Sequence, residues 1–297
     1  MSVFSQTLKE KFPWRDYYEL CKPRVVFLMM ITAMVAMCLT GNIQSIATFL
    51  WANVGIALGA AAAAAVNHVA DEEIDKRMKR TQHRPLVTGR LTPQQSIWFA
   101  VILGVSSMFI LGVFVNGLTA LLTLFALIAY GGIYTFFLKH STPQNIVIGG
   151  IAGASPPLLG WTAMTNHVSA EPLLLVLIIF IWTPPHFWAL AIHRAEDYAK
   201  AKVPMLPLTH SIAFTKLNIL LYTLLLCCVT LLPFTIGMCG WIYLVGMIYL
   251  NLRFLYGSIR LLRSSPHGKA AMDLFKFSIT YLGLLFLFLL VDHYAGR

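Results

Sequence analysis

Charge is scarce in this sequence. Only 11% of its 297 residues are Asp, Glu, Lys or Arg, against about 25% in soluble domains. With 58% hydrophobic residues and a mean hydropathy of +0.72, that scarcity excludes an ordinary soluble fold. Strict apolar–polar alternation is missing too, which excludes a β-barrel. Cysteine is sparse: Cys21, Cys38, Cys227, Cys228 and Cys239 show no metal-ligand spacing and read as small apolar packing residues. The first 24 residues hold no short apolar core with a small-residue cleavage site. They carry Lys9, Glu10, Lys11, Arg15, Asp16, Glu19, Lys22 and Arg24 instead, so no cleavable signal peptide is expected.

What is present is a series of long apolar runs, near 25–42, 47–67, 96–115, 118–138, 145–163, 172–192, 216–236, 240–258 and 273–292. Each is long enough to cross about 30 Å of hydrocarbon. They predict an all-α integral membrane protein with nine transmembrane helices. One transmembrane domain is expected over 25–292, between an N-terminal segment at 1–24 and a short tail at 293–297. Lys and Arg concentrate on one side: before the first run, in 76–90, at Lys139, in 194–216 and in 260–276. The opposite connections (GNIQS, the NG at 116–117, TNHVSAEP and GMCG) contain none. The N terminus is therefore expected in the cytoplasm and Arg297 outside. The net charge of +10 reads as topology and contact with the lipid bilayer, with no nucleic-acid partner.

Charge at the edge of a span is costly and usually functional. The densest cluster is NHVADEEIDKRMKRTQHRPL, Asn67 to Leu86. Asn67, Asp71 and Asp75 stand at i, i+4 and i+8, stacked on one helix face at about 6 Å per step. One amide and two carboxylates make an oxygen-only site suited to Mg²⁺, which binds one or two carboxylates together with substrate phosphates. Arg80 and Arg84 follow at i, i+4 as candidate phosphate clamps, with Pro85 expected to stop the helix and fold them back over the column. The competing reading is an exposed helix laced by the pairs Glu72–Lys76, Glu73–Arg77 and Asp75–Lys79. It suits Glu72 and Glu73 better than the column, and the basic residues also serve as positive-inside anchors.

A second acidic cluster, His193, Glu196 and Asp197, lies four runs later in the connection 193–215, as the first lies in 67–95. Two acidic mouths four helices apart suggest two related four-helix halves plus one helix. Tyr134 and Lys139 end the fourth run, where they could reach an anionic head group or simply anchor the interface. SPP at 155–157 and TPP at 183–185 are expected to break spans where backbone lines a cavity, and Gly149 with Gly153 forms GxxxG. His186 follows the second proline pair among Trp182, Phe187 and Trp188, where a packing role competes with a ligand role.

The Asn67-xxx-Asp71-xxx-Asp75 pattern with a second acidic motif four helices on resembles the intramembrane aromatic prenyltransferase superfamily. More closely, LKHSTPQNIVIGGIAGASPPLLGW, WTPPHFWALAI and DYAKAKVPMLP resemble its haem-farnesylating branch, from about Lys22 to the last span. The resemblance implies nine helices around a central cavity in a bacterial cytoplasmic membrane. It implies transfer of a farnesyl group from farnesyl diphosphate to a vinyl group of haem B, with hydration to haem O. Asn67, Asp71 and Asp75 match the first metal–diphosphate motif, and Asp197 the last acid of the second. His193 stands where the wider superfamily has an aspartate, which leaves the second metal open.

The chemistry expected is ionisation of an allylic diphosphate, with Mg²⁺ on the column and Arg80, Arg84, Tyr134 and Lys139 on the leaving group. His186, His193 and Trp182 are the candidates for haem recognition, with Trp188 a further ring for stacking. No CxxCH stretch is present, so covalent haem attachment is not expected. A haem A synthase or a terminal oxidase is an expected partner. Three readings compete: a prenyltransferase acting on a quinone or chlorin precursor, a transporter, and a haem-binding assembly factor. WTPPHFW with DYAKAKVPMLP disfavours the first. Charge gathered at one surface disfavours the transporter, and the Asn-Asp-Asp column disfavours the assembly factor.

Overall fold

The computed structural model describes residues 13–41, 43, 45–265 and 269–296. Residues 1–12 of the N-terminal segment and Arg297 of the expected external tail lie outside the described residues, as do 42, 44 and 266–268. Everything regular among the described residues is helical, as lipid requires, because a helix satisfies its backbone within one segment. Among the described residues there are eight to nine spans, in keeping with the nine expected. Eight are helices of membrane-crossing length: Ile46–Ala70, Pro93–Phe114, Gly117–Phe137, Asn145–Thr165, Ala170–His193, Ile212–Thr235, Trp241–Arg263 and Ala270–Ala295. The first span, Pro23–Leu39, is preceded by a short helix, Trp14–Leu20, set at 53° to it. Trp14 and Tyr18 of that short helix are exposed, whereas Asp16 and Leu20 are buried. Lys22 sits at the bend with a left-handed backbone, φ 47°.

Local chemistry sets the helix starts. Ser45, Asn116 and Ser211 each accept a backbone N–H three residues on. Thr92 and Gln95 form a reciprocal capping box with Pro93 at the first helical position. The eighth span is capped from the ninth: the Asp292 carboxylate accepts the N–H groups of Gly240 at 2.5 Å and Tyr243 at 3.1 Å. Small residues set the packing. Ser107 donates to the Gly55 carbonyl at 2.6 Å between the third and second spans, and at Gly160 the chain passes too close to the Ala33 carbonyl for any side chain.

Two spans depart from regular α-helix. The fourth changes from α-helix to π-helix over Ile128–Leu138, with the Thr135 hydroxyl donating to the Tyr130 carbonyl at 2.7 Å. The fifth is interrupted between Gly153 and Pro156, at the SPP stretch. The TPP stretch behaves differently from expectation: the sixth span runs unbroken through Pro184 and Pro185. The Thr183 hydroxyl bonds the Ile179 carbonyl at 2.7 Å and secures the turn ahead of the prolines. The spans surround a central cavity of about 520 Å³, walled by the first, second, fourth, fifth, sixth and ninth.

Candidate active site

The second span ends at Ala70, and Asp71 joins it to a short helix, Glu72–Arg77. The backbone bonds Asp71 to Asn67 (3.0 Å) and Asp75 to Asp71 (2.8 Å) carry the helical path through the junction. Asn67, Asp71 and Asp75 therefore stay on one face, at 3%, 5% and 4% exposure. The chain turns earlier than Pro85. The short helix stops at Arg77, and the Thr81 hydroxyl donates to the Asp75 carbonyl at 3.0 Å, satisfying an acceptor that further helix would have used. The outer face is solvated as expected for Glu72 and Glu73, except that Lys76 takes both, at 2.9 and 2.7 Å.

Each member of the column meets a cation. Asp71 accepts Lys139 Nζ at 2.6 Å and Asp75 accepts Arg84 at 2.5 Å. Asn67 Oδ1 accepts Lys22 Nζ, while its Nδ2 donates to Thr135 Oγ1 at 3.3 Å. These groups line a polar pocket of about 160 Å³ with Arg80, Tyr130, Tyr134 and Tyr198. Four cations thus face two carboxylates in a mostly buried space, an arrangement that calls for an anion. Burial, with the neighbouring Arg84 guanidinium second, pushes the Lys22 ammonium down to about 7. Burial likewise raises the Tyr198 phenol.

The polar pocket and the central cavity are contiguous, for Lys22, Tyr130, Tyr134, Ile146 and Phe187 line both. Tyr130 and Tyr134 stack with ring centroids 5.5 Å apart at this junction. Tyr134 packs against Gly149, where any side chain would collide with its ring. The cavity wall is otherwise largely apolar, with Trp182 and His186 on it and a few hydroxyls such as Thr32 and Thr183. Val25, Leu28 and Ile279 line it and are exposed, so the cavity is not sealed from the surroundings.

The structure therefore brings together Asn67, Asp71, Asp75, Arg80, Arg84, Tyr134 and Lys139, and sets Trp182 and His186 in the adjoining cavity. The second acidic cluster does not join them. His193 and Glu196 are exposed, and Asp197 pairs with Arg194 at 3.3 Å. The helix Ala195–Lys200 turns Tyr198 into the pocket, which leaves Asp197 on another side. Trp188 packs edge-on against Tyr222 in the core, away from the cavity lining. Lys22, Tyr130 and Tyr198 belong to the pocket and were not singled out from sequence. A Lys directly before a Pro-started span, and a Tyr four before Tyr134, were the available signals.

Among the described residues no three His, Cys, Asp or Glu side chains converge as a metal cluster. The donor set is two carboxylates and one amide oxygen, which fits Mg²⁺ when phosphate oxygens complete its shell. An anion-seeking pocket opening into an apolar cavity is the arrangement that an intramembrane prenyltransferase needs.

The chain belongs to the UbiA prenyltransferase family, whose model matches residues 29–280. Within that family it falls among the protohaem IX farnesyltransferases. It is 58% identical to the protoheme IX farnesyltransferase of Marinobacter nauticus, over 99% of this chain and 98% of that one. It is 59% identical to the enzyme of that name from Stutzerimonas stutzeri, over 95% and 94% of the two chains. The fold matches a solved digeranylgeranylglyceryl phosphate synthase with a TM-score of 0.79 at 19% identity, over 94% of this chain and 98% of the other. It also matches a UbiA homologue from Archaeoglobus fulgidus bound to GPP and Mg²⁺, with a TM-score of 0.64 at 14% identity, over 92% and 99%.

Proposed function

We propose that this integral, multi-pass membrane enzyme transfers the farnesyl group of farnesyl diphosphate to a vinyl group of haem B, with hydration, to give haem O. The observation that carries the reading is the junction at Tyr130 and Tyr134, where a cation-rich pocket meets a large apolar cavity. Diphosphate and prenyl chain need opposite surroundings, and the scissile C–O bond falls where the two meet.

Asn67, Asp71 and Asp75 are the residues that would hold Mg²⁺, which when bound supplies positive charge to the departing diphosphate. Lys22, Arg80, Arg84 and Lys139 neutralise its remaining oxygens, and the partial burial of Lys22, Arg84 and Lys139 strengthens that stabilisation. Tyr130 and Tyr134 present ring faces to the allylic cation. Tyr198 donates from the far wall of the pocket. The apolar cavity holds the farnesyl chain away from water until the vinyl carbon attacks, and His186 and Trp182 recognise the haem. Asp197 and His193, outside the pocket, have no part in holding the ion in this reading.

The basic residues of 76–90, 139 and 194–216 support the reading that the pocket faces the cytoplasmic side of a bacterial inner membrane. Haem O leaving this enzyme is a substrate for a haem A synthase or a ligand for a terminal oxidase, and either is the expected partner. The test is mass spectrometry of haems from membranes expressing the chain and supplied with farnesyl diphosphate. A farnesylated, hydrated haem is expected; unmodified haem B alone overturns the reading.

A further inference from the structure

His186 is held by more contacts than packing requires. Its ring stacks on Trp182 of its own helix at 4.2 Å and on Phe275 of the ninth span at 4.6 Å, with Phe187 edge-on at 4.9 Å. Its Nδ1 lies 2.6 Å from the hydroxyl of Ser278, a residue with no exposed surface. That hydroxyl has a single proton, and it is donated to the Phe275 carbonyl at 2.6 Å, an atom able only to accept. With that proton on the Phe275 carbonyl the Ser278 oxygen is an acceptor, and the His186 bond is read with its proton on Nδ1. The backbone of Ser278 is fixed as well, because the Trp182 indole N–H donates to its carbonyl at 2.9 Å. A neutral imidazole protonated at Nδ1 carries its lone pair on Nε2. Among the described residues Nε2 has no hydrogen-bond partner, and His186 lines the central cavity beside Phe187, which also borders the diphosphate pocket.

We infer that His186 Nε2 is the axial ligand of the haem substrate's iron, and that Ser278 is the positioning residue that sets its tautomer and orientation. The inference rests on the haem-farnesylating reading above. The step is a simple coordination: the Nε2 lone pair enters an axial position of the iron, displacing at most a water, and no electron or proton changes place. Donation from Nδ1–H to Ser278 makes the imidazole a stronger ligand, as carboxylate and carbonyl partners do for other metal-bound histidines. Tethering the iron fixes where the porphyrin rim, and hence its vinyl group, meets the junction at Tyr130 and Tyr134.

The experiment is resonance Raman spectroscopy of the ferrous haem B complex of the full chain in lipid nanodiscs. Wild type is expected to show an iron–histidine stretching band. His186→Ala should lose it, with added imidazole restoring an iron–imidazole band; His186→Gln repeats the test should the alanine variant fail to fold. Ser278→Ala should keep the band at lower frequency and weaken haem affinity about tenfold, while Ser278→Thr, which retains the acceptor, should return both toward wild type. The helical circular dichroism spectrum should be unchanged throughout, a check on folding that does not involve haem. A band that survives His186→Ala or His186→Gln, a wild-type frequency in Ser278→Ala, or no band in wild type overturns the inference. Product analysis run in parallel separates the two readings: farnesylated haem without the band refutes the ligation alone, and the band without farnesylated haem refutes the enzymatic reading.

Discussion

Lys22 and Lys139 show what a single residue does in this site. Each is withdrawn from water and faces a column oxygen, Lys22 on Asn67 and Lys139 on Asp71. A buried cation with a partner it can exchange is well placed to grip phosphate oxygens when substrate arrives. Lys22→Met should lower turnover about 100-fold, the scale for losing one preorganised charge at a leaving group. Haem B binding should be retained, and steady-state kinetics with a haem titration reads both. Asp71→Asn and Asp75→Asn should abolish product while the protein still inserts; full activity in either removes the column from the metal site. Lys22 carried almost no sequence signal. Ahead of Pro23 it reads as one more positive-inside anchor, and only the 53° bend and left-handed backbone turn its ammonium inward.

At the scale of elements, the π-helical end of the fourth span aligns the site. Its wider turn lets one hydroxyl, Thr135 Oγ1, meet both the Tyr130 carbonyl and the Asn67 amide, while the same segment presents Tyr130, Tyr134 and then Lys139. Thr135→Val should loosen Asn67 and lower thermal stability by about 1 kcal/mol, the net worth of a buried hydrogen bond. Gly149→Val should displace the Tyr134 ring and reduce kcat about 100-fold, with an unaltered helical circular dichroism spectrum excluding misfolding. YGGIY shows no periodicity that separates a π-turn from an α-turn, so this alignment was not legible. The capping residues Ser45, Thr92, Asn116 and Ser211, by contrast, act locally, within one turn of the helices they start.

For the whole molecule, the pocket's excess of cations over carboxylates ties metal and substrate together. Two carboxylates and an amide are too few ligands to bind Mg²⁺ tightly unaided, and four cations repel it until a diphosphate balances them. Mg²⁺ should therefore bind at least about tenfold tighter in the presence of farnesyl thiodiphosphate, a slowly reacting analogue, and that analogue should bind tighter with Mg²⁺ by the same factor. Calorimetry measures both arms, and independent binding refutes the shared site. EDTA should stop turnover and added Mg²⁺ restore it.

The nine spans, the charged end of the second and the column on its face follow from the sequence by itself. The bilayer leaves the backbone one solution, and an i, i+4, i+8 spacing keeps three side chains on one face of any helix. The tertiary structure alone decided which distant groups meet that face. It chose Lys22, Tyr130 and Tyr198 for the pocket and left His193 and Asp197 outside it, with Asp197 paired to Arg194. Convergence depends on how each helix is rotated and bent against its neighbours. Those rotations are set by packing between segments far apart in the chain, as at Gly149 against Tyr134 and Gly160 against Ala33, and hydropathy carries no record of them.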